Sequence, residues 1–196
     1  EDFIIPEGLE EELGLKAEYF EDGLARLGVK PEEIDVIIHT HLHNDHCEND
    51  YKCHNALFYV HALELERIHN PHPLDYRYLE DFIEEVEAAG QIQTLSGDAE
   101  IRPGIRVLHT PAHTEGGLTV LVDTPAGTAA ITGFCVIDAN FNPPPAIRAM
   151  EMEVIPPGTV VDPKAAYDQM LRVRELADLL IPLHEPRFAA IDTIPA

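Results

Sequence analysis

Basic residues are scarce in this chain, and no segment carries a run of them. The sequence has 13 Lys and Arg against 36 Asp and Glu, which gives a formal net charge of −23 at pH 7. Binding to a phosphate backbone or to anionic lipid requires clustered Lys and Arg. The composition therefore argues against nucleic acid and membranes as partners. We expect a small-molecule substrate, and a local positive centre such as a metal ion would still attract a small anion.

Long apolar runs and paired cysteines are also missing. No stretch approaches the ~20 apolar residues that span a bilayer, and no charged-then-apolar leader is visible. The three cysteines, at positions 47, 53 and 135, are odd in number and form no CxxC pair. This pattern is typical of reduced thiols. We therefore expect a cytoplasmic protein.

The 196 residues, 45% of them hydrophobic, suit one domain over 1–196. Helical spacing and β-branched runs alternate along the chain, with an N-capped helix beginning at Asp162 and Pro163. Helices are predicted over 9–28, 62–69 and 74–90. Strands are predicted over 34–40, 56–61, 91–95, 105–110, 118–124 and 128–134, with a last short one in 180–186. A hairpin turn is predicted at 124–127, and the proline-rich segment 140–163 resists regular structure. The fold class is α+β.

The densest chemical signal is HLHNDH, residues 41–46. Imidazoles and carboxylates are usual ligands of Zn, Fe and Mn. His41 and His43 lie two residues apart at a strand end, so they can point the same way and hold one metal. Asp45 and His46, one loop step later, can turn towards a second position. The crowding predicts a metal site.

Three later segments can complete such a site. His113 directly follows a strand and precedes the pair Gly116 and Gly117. His184 follows the last strand. The segment ITGFC, residues 131–135, also follows a strand, where another ligand would be useful.

Together these motifs resemble the metallo-β-lactamase superfamily. HxHxDH matches residues 41–46, TPxH matches 110–113, and the terminal strand-His matches His184. The segments THLHNDH, LFYVHALELE and IRPGIRVLHTPAHTEGG are most similar to the N-acyl-homoserine lactonase branch. The resemblance implies an αββα sandwich.

The resemblance also implies a role for each motif residue. The first metal would be bound by His41, His43 and His113, and the second by Asp45, His46 and His184. One or two Zn²⁺ ions are expected, with Fe or Mn as alternatives. A metal-bound water or hydroxide would attack an ester, lactone or thioester carbonyl, and Asp45 would act as the catalytic residue by assisting proton transfer.

One departure from the family concerns the bridging aspartate. Phe134 occupies the place after TG where two-metal members carry that aspartate, and a phenyl ring cannot ligate. Two dications would lose a shared negative charge, so we expect a weaker second site. Strand alternation aims Cys135 to the face opposite Phe134, as a buried structural cysteine. A bulge would reverse that direction and make Cys135 a thiolate ligand. Asp138 reaches the site only if its loop folds back, and Ile137 stands where lactonases carry a tyrosine.

The other departure is that the superfamily's first strands have no counterpart here. A sandwich without them would expose a sheet edge and an apolar face. We hypothesise that the 196 residues are a fragment whose N-terminal part has been cleaved off, continues the same chain outside these residues, or is supplied by a separate chain. A homo-oligomer is a further possibility.

Several other side chains have two readings. His39 and His109 are expected in the core or beside ligands, and Glu115 either bonds a ligand imidazole or is solvated. Four histidines are expected on the surface: His54, His61, His69 and His72. Four apolar residues of segment 140–158 either line a substrate pocket or cover the core: Phe141, Ile147, Met150 and Met152.

The favoured function is a metal-dependent hydrolase. An iron-dependent redox enzyme of the same fold, or a non-catalytic metal- or ligand-binding protein that has lost the bridging aspartate, are the alternatives.

Overall fold

The computed structural model describes residues 19–191 and 193–194. The first part of the helix predicted over 9–28 lies outside the described residues. The described strands are Val36–Ile38 (β1), Leu57–His61 (β2), Ile92–Leu95 (β3), Ala99–Arg102 (β4), Ile105–His109 (β5), Leu118–Thr124 (β6), Gly127–Thr132 (β7) and Leu179–Pro182 (β8). The helices are Phe20–Arg26 (α1), Asn44–Cys47 (α2), Ala62–His69 (α3), Glu84–Ala88 (α4), Asp138–Phe141 (α5), Pro145–Arg148 (α6) and Pro163–Leu176 (α7), with short 3₁₀ turns at Pro31–Glu33, Asp50–Lys52, Glu80–Phe82 and Pro186–Ala190.

The strands form two sheets. Strands β1, β2 and β3 make a parallel three-stranded sheet in that order. Strands β4 to β8 follow in chain order in a five-stranded sheet, which is antiparallel except for the β7–β8 pair. Parallel neighbours need a crossover connection, and α3 and α7 lie in two of these connections. The predicted turn at 124–127 closes the β6–β7 hairpin.

Side-chain alternation along the strands produces four layers. In β6, Val120 and Val122 face the other sheet, whereas Leu121 packs towards α7. Helix α7 contributes Met170 and Val173 to that outer core. The opposite outer face, around Phe58, packs against α3 and α4. The described residues therefore form the four-layer αββα sandwich that the resemblance implies.

The prediction of a helix over 74–90 is wrong for its first half. Helical structure begins only with the 3₁₀ turn at Glu80–Phe82 and continues in α4. The Arg77 side chain donates to Asp75 Oδ1 (2.8 Å), and the Arg77 carbonyl accepts from Asn44 N (2.8 Å). Tyr78 turns inward to donate to Glu64. These long-range contacts hold residues 74–79 as an irregular loop, despite their apolar spacing.

Three further expectations need correction. Strand β4 is not among the predicted strands, because its segment AEIR is short. In the structure, a register irregularity also interrupts its pairing with β5. The segment 140–163 is not wholly irregular, since α6 lies within it and α5 overlaps its start. Finally, the strand predicted over 128–134 ends early: β7 stops at Thr132, so Phe134 lies outside it.

One of the four histidines expected on the surface is buried. His61 is 4% exposed and stacks on His109, with ring centroids 4.0 Å apart. Its Nδ1 accepts from Leu63 N and so caps α3. His54 and His72 are exposed as expected, whereas His69 is partly buried and bonds to two glutamates.

A cleft of about 670 Å³ opens between the two sheets beside β1. Strand β1 is the edge of the three-stranded sheet among the described residues. Val36 and Ile38 face Ile105 and Val122 across the cleft. The lining is mainly apolar, and Asp45 and His46 stand at its polar end.

Candidate metal centre

The predicted ligands converge where several elements end. His41 and His43 follow β1 in the turn before α2, and Asp45 and His46 lie in α2 itself. The other two come from the five-stranded sheet, after β5 and after β8. The structure brings the six together as two groups whose ligand atoms lie within 4.8 Å of one another: His41, His43 and His113 form the first triad, and Asp45, His46 and His184 form the second.

The first triad is buried. His41 and His43 are 1% exposed, and His113 is 5% exposed. Each ring has one nitrogen that contacts a protein group outside the triad. His43 Nε2 donates to Asp75 Oδ2 (3.4 Å), His113 Nδ1 donates to the Thr159 carbonyl (2.9 Å), and His41 Nδ1 lies 3.1 Å from Thr40 Oγ1.

The remaining nitrogens turn towards one another. His43 Nδ1 lies 3.1 Å from His113 Nε2, and His41 Nε2 is buried with no hydrogen-bond partner. Because the other nitrogens of His43 and His113 carry the donated protons, neutral rings present two facing lone pairs. Facing lone pairs repel unless a proton or a metal cation lies between them. The donor set therefore fits a divalent metal ion.

Burial keeps these imidazoles unprotonated. It lowers the pKa of His41 well below the usual range, and neighbouring histidines lower it further. Burial and then the Arg77 charge lower the pKa of His43 to about 4. Burial also lowers the pKa of His113, against the opposing effect of the Thr159 carbonyl. Metal ligation requires neutral imidazole, so the site holds its rings in the ligating form at neutral pH.

The second triad is more open. The Asp45 side chain is 58% exposed and that of His46 17%, with Asp45 Oδ2 3.4 Å from His46 Nε2. His184 is exposed, and its ring centroid lies 5.8 Å from that of His46. The ring centroids of His41 and His46 are 4.0 Å apart, so the two triads are adjacent. Burial lowers the pKa of His46 although the Asp45 charge opposes it.

The segment after β7 supplies no described member to either triad. Phe134 is 1% exposed and packs in the α7 core near Phe141, with ring centroids 6.0 Å apart. Cys135 is partly exposed, and burial raises the pKa of its thiol. Asp138 forms an ion pair with Arg187 and so does not fold back to the triads.

The structure also distinguishes between the two expected roles of several other side chains. His39 is buried and bonds to Asp50 (2.7 Å), and Glu115 pairs with Arg67 rather than with a ligand imidazole. Phe141 covers the core as one of its readings required, whereas Met150 is 68% exposed.

Sequence reasoning missed three residues beside the first triad. Asp75 bonds His43, the Tyr78 ring packs against His43 at 4.7 Å between centroids, and Glu64 is a buried carboxylate. All three lie in segments expected to be ordinary amphipathic helix. A proline on each side of His72 in PHPLDYRY was the available signal against a helix there.

The family model of the metallo-beta-lactamase superfamily matches residues 8–179. The chain belongs to this superfamily. Its relatives include N-acyl homoserine lactonases, as the resemblance implied.

Two curated members of the superfamily show the likeness in sequence. A probable metallo-hydrolase of Methanocaldococcus jannaschii is 28% identical over 163 residues, which cover 83% of this chain and 63% of that protein. An N-acyl homoserine lactonase of Bacillus sp is 29% identical over 155 residues, 78% of this chain and 55% of that protein. The matched part of this chain thus spans about three fifths of the length of these relatives.

A solved structure shows the likeness in fold. It is an N-acyl homoserine lactone hydrolase with the product N-hexanoyl-L-homoserine bound at its catalytic metal centre. The TM-score is 0.70 at 22% identity, over 93% of this chain and 68% of that one. Among the described residues, no helix is both long and apolar enough to cross a bilayer.

Proposed function

We propose that this chain carries the metal centre of a hydrolase that cleaves an ester, lactone or thioester carbonyl, with zinc as the resident ion. The observation that carries the proposal is the first triad's inward-facing nitrogens. Three buried imidazoles keep one nitrogen each for a common point, and their outer nitrogens are engaged by Asp75, Thr159 and Thr40. Outer contacts of this kind orient zinc-binding histidines and fix their tautomers.

A divalent ion held by His41, His43 and His113 would act as a Lewis acid and lower the pKa of water towards ~7. The protein's own contribution is to keep these three rings neutral and fixed. Their burial also keeps bulk water away from the inner side of the site, where electrostatic interactions are stronger.

Asp45 is the proposed proton carrier. It lies on the open side of the centre, beside His46, and its side chain is more than half exposed. A carboxylate there can reach both solvent and a substrate at the triads. Proton transfer to a leaving alkoxide or thiolate needs such a group within hydrogen-bond reach.

The second triad is proposed as a weaker site. Phe134 provides no bridging carboxylate, and its ring packs away in the α7 core. Asp45 then supplies the only carboxylate among the three grouped ligands. We propose one tightly held ion at the first triad and a second ion that binds only at higher metal concentration.

The substrate is proposed to be a small, uncharged carbonyl compound. The net charge of −23 repels polyanions. The lactonase relatives favour a lactone, although Ile137 offers no phenol where those enzymes carry a tyrosine. Ile137 is 41% exposed.

Metal analysis and a variant test this proposal. We expect purified protein to bind one or two zinc ions per chain and to hydrolyse lactones or aryl esters. His113→Ala should lose the first ion and at least ~10²-fold in activity, because a triad member is gone. The exposed His54→Ala is the matched control and should leave both unchanged.

The same measurements separate the alternatives. Bound iron with visible colour and no hydrolysis would favour the redox enzyme. Bound metal without turnover would favour a binding protein. Activity that survives in His113→Ala would contradict the assignment of the first triad.

A further inference from the structure

We propose that Glu64, which belongs to neither triad, is a positioning residue that holds the two ligand-bearing loops of the first triad in register. This inference rests on the proposed metal site, and it concerns how that site is built. Glu64 lies in α3 and is 1% exposed. Nothing in its sequence context, ALELERIH, marks it as different from Glu66.

The carboxylate of Glu64 joins both loops. Its Oε2 accepts from Leu42 N at 2.9 Å, and Leu42 stands between His41 and His43. Its Oε1 accepts from Gly116 N at 3.0 Å, three residues after His113. One carboxylate therefore ties the loop after β1 to the loop after β5.

A third donor completes the arrangement. The Tyr78 hydroxyl donates to Glu64 Oε2 at 3.0 Å, and the Tyr78 ring packs against His43. A buried carboxylate is strongly unfavourable unless donors compensate it, and bonds to an ionised acceptor are the stronger kind. The three donors from separate segments thus make the carboxylate a rigid junction.

Gly116 is shaped for this contact. A Cβ at that position would lie 2.7 Å from both Glu64 Cγ and Glu64 Oε1, and 2.8 Å from Glu64 N. Glycine permits the backbone to approach so closely. The glycine of the TEGG turn is thereby explained by the carboxylate that it meets.

The register that Glu64 holds is the one on which metal binding depends. The 3.1 Å separation of His43 Nδ1 from His113 Nε2 spans these two loops. A backbone bond from Leu118 N to the Thr40 carbonyl also joins them, but at the strand ends rather than at the ligands. Metal–ligand distances tolerate only ~0.2 Å, so a loosened loop weakens metal binding before it unfolds the domain.

The test uses Glu64→Gln, with Glu66→Gln as the matched control. Both variants remove one negative charge from α3, but the Glu66 side chain is 60% exposed. Glutamine keeps the size of Glu64, yet one of its two terminal atoms is a donor that must face another donor. Zinc Kd is measured by competition with a chelator, and the absorption spectrum of bound Co²⁺ reports ligand geometry. Circular dichroism first establishes that each metal-free variant is folded at the temperature used.

We expect Glu64→Gln to raise the zinc Kd by about 10- to 100-fold, as loss of supporting groups around metal ligands does, and to alter the cobalt spectrum. Glu66→Gln should match the unchanged protein in both. A folded Glu64→Gln protein with unchanged Kd and spectrum would overturn the inference and leave Glu64 a purely structural residue.

If Glu64→Gln does not fold, Tyr78→Phe decides the matter. It removes the hydroxyl that donates to the carboxylate and keeps the ring that packs against His43, so a rise of about threefold in Kd is expected from the loss of one hydrogen bond. An unchanged Kd would overturn the inference. Failure of the unchanged protein to bind zinc or cobalt would instead refute the proposed function, and this inference with it.

Discussion

At the scale of single residues, the first triad depends on which ring nitrogen each histidine leaves free. The outer contacts to Thr40, Asp75 and Thr159 decide this, and each comes from a different segment. The motif HxH alone does not determine the tautomers. A metal centre here is therefore a property of the folded chain rather than of residues 41–46.

The depressed pKa values of the triad predict acid instability of the metal-free protein. In the folded state His43 titrates near 4, whereas in the unfolded chain it titrates near 6.5. Between these values the unfolded state binds more protons, so the free energy of unfolding falls as the pH falls from ~6.5 to ~4. This lowering of the His43 pKa from 6.5 to about 4 removes about 3 kcal/mol from the free energy of unfolding over that pH range. Above pH ~6.5 this histidine contributes no further change.

Urea unfolding of the EDTA-treated protein between pH 4.5 and 7.5 checks this expectation. Asp50 and Glu64, whose pKa values burial raises, act in the opposite direction, so a variant is needed to isolate the histidine. His43→Ala should show a shallower loss of stability with acid, while the exposed His54→Ala should follow the unchanged protein. Parallel curves for all three proteins would refute the assigned titration.

The grouping of the six candidate ligands was predictable from sequence, and the residues that support them were not. Histidines two apart at a strand end, and histidines directly after later strands, are local patterns that report ligands. Glu64 is different, because its burial depends on Leu42, Tyr78 and Gly116, which are distant in sequence. A glutamate in an amphipathic helix carries no local sign of such partners.

At the scale of elements, most strands were predictable from local sequence signals, whereas the loop over 74–79 depends on contacts that are distant in sequence. Apart from β4, the strands of the five-stranded sheet have alternating or apolar runs bounded by turns, and α7 has a capping Asp162 that accepts from Lys164 N and Ala165 N. These signals are local and were sufficient. The loop over 74–79 has helix-like spacing, but Asp75 and Tyr78 are held by His43 and Glu64 instead. Tertiary contacts overrode the local preference there.

Gly133 follows β7 and packs closely against Thr40 and Leu118, so we expect stability to be sensitive to substitution at this glycine. A Cβ at Gly133 would fall on the Leu118 carbonyl oxygen and lie 2.9 Å from Thr40 Cβ. Neither neighbour can move freely, since Leu118 N donates to the Thr40 carbonyl. We expect Gly133→Ala to lower the free energy of unfolding by about 1–3 kcal/mol through overpacking.

Thermal unfolding measures this effect, and Gly97→Ala is its control. A Cβ at Gly97 meets nothing within 4 Å. Gly97 lies in the turn between β3 and β4, far from the ligand loop in sequence. Equal melting temperatures for the two alanine variants would show that the β7 junction is looser than the structure indicates.

At the scale of the whole molecule, the two sheets are unequal in width. Five strands face three, and the cleft beside β1 leaves Ile105 and Val122 partly uncovered among the described residues. An open apolar face next to a strand edge that no described strand pairs with favours association with further polypeptide. We therefore propose that a further segment of polypeptide, from the same or another chain, covers the cleft beside β1.

The 196-residue chain on its own is expected to self-associate through this cleft despite its net charge of −23, the more so at high salt, which screens that charge. Val36→Lys places a charge on β1 at the cleft and should shift the population towards monomer. Leu176→Lys, at the exposed end of α7, is the control and should not. Sedimentation velocity over a range of protein and salt concentrations measures the shift, with circular dichroism to establish folding. A stable monomer of 21.8 kDa under all conditions would contradict both the self-association and the need for covering chain.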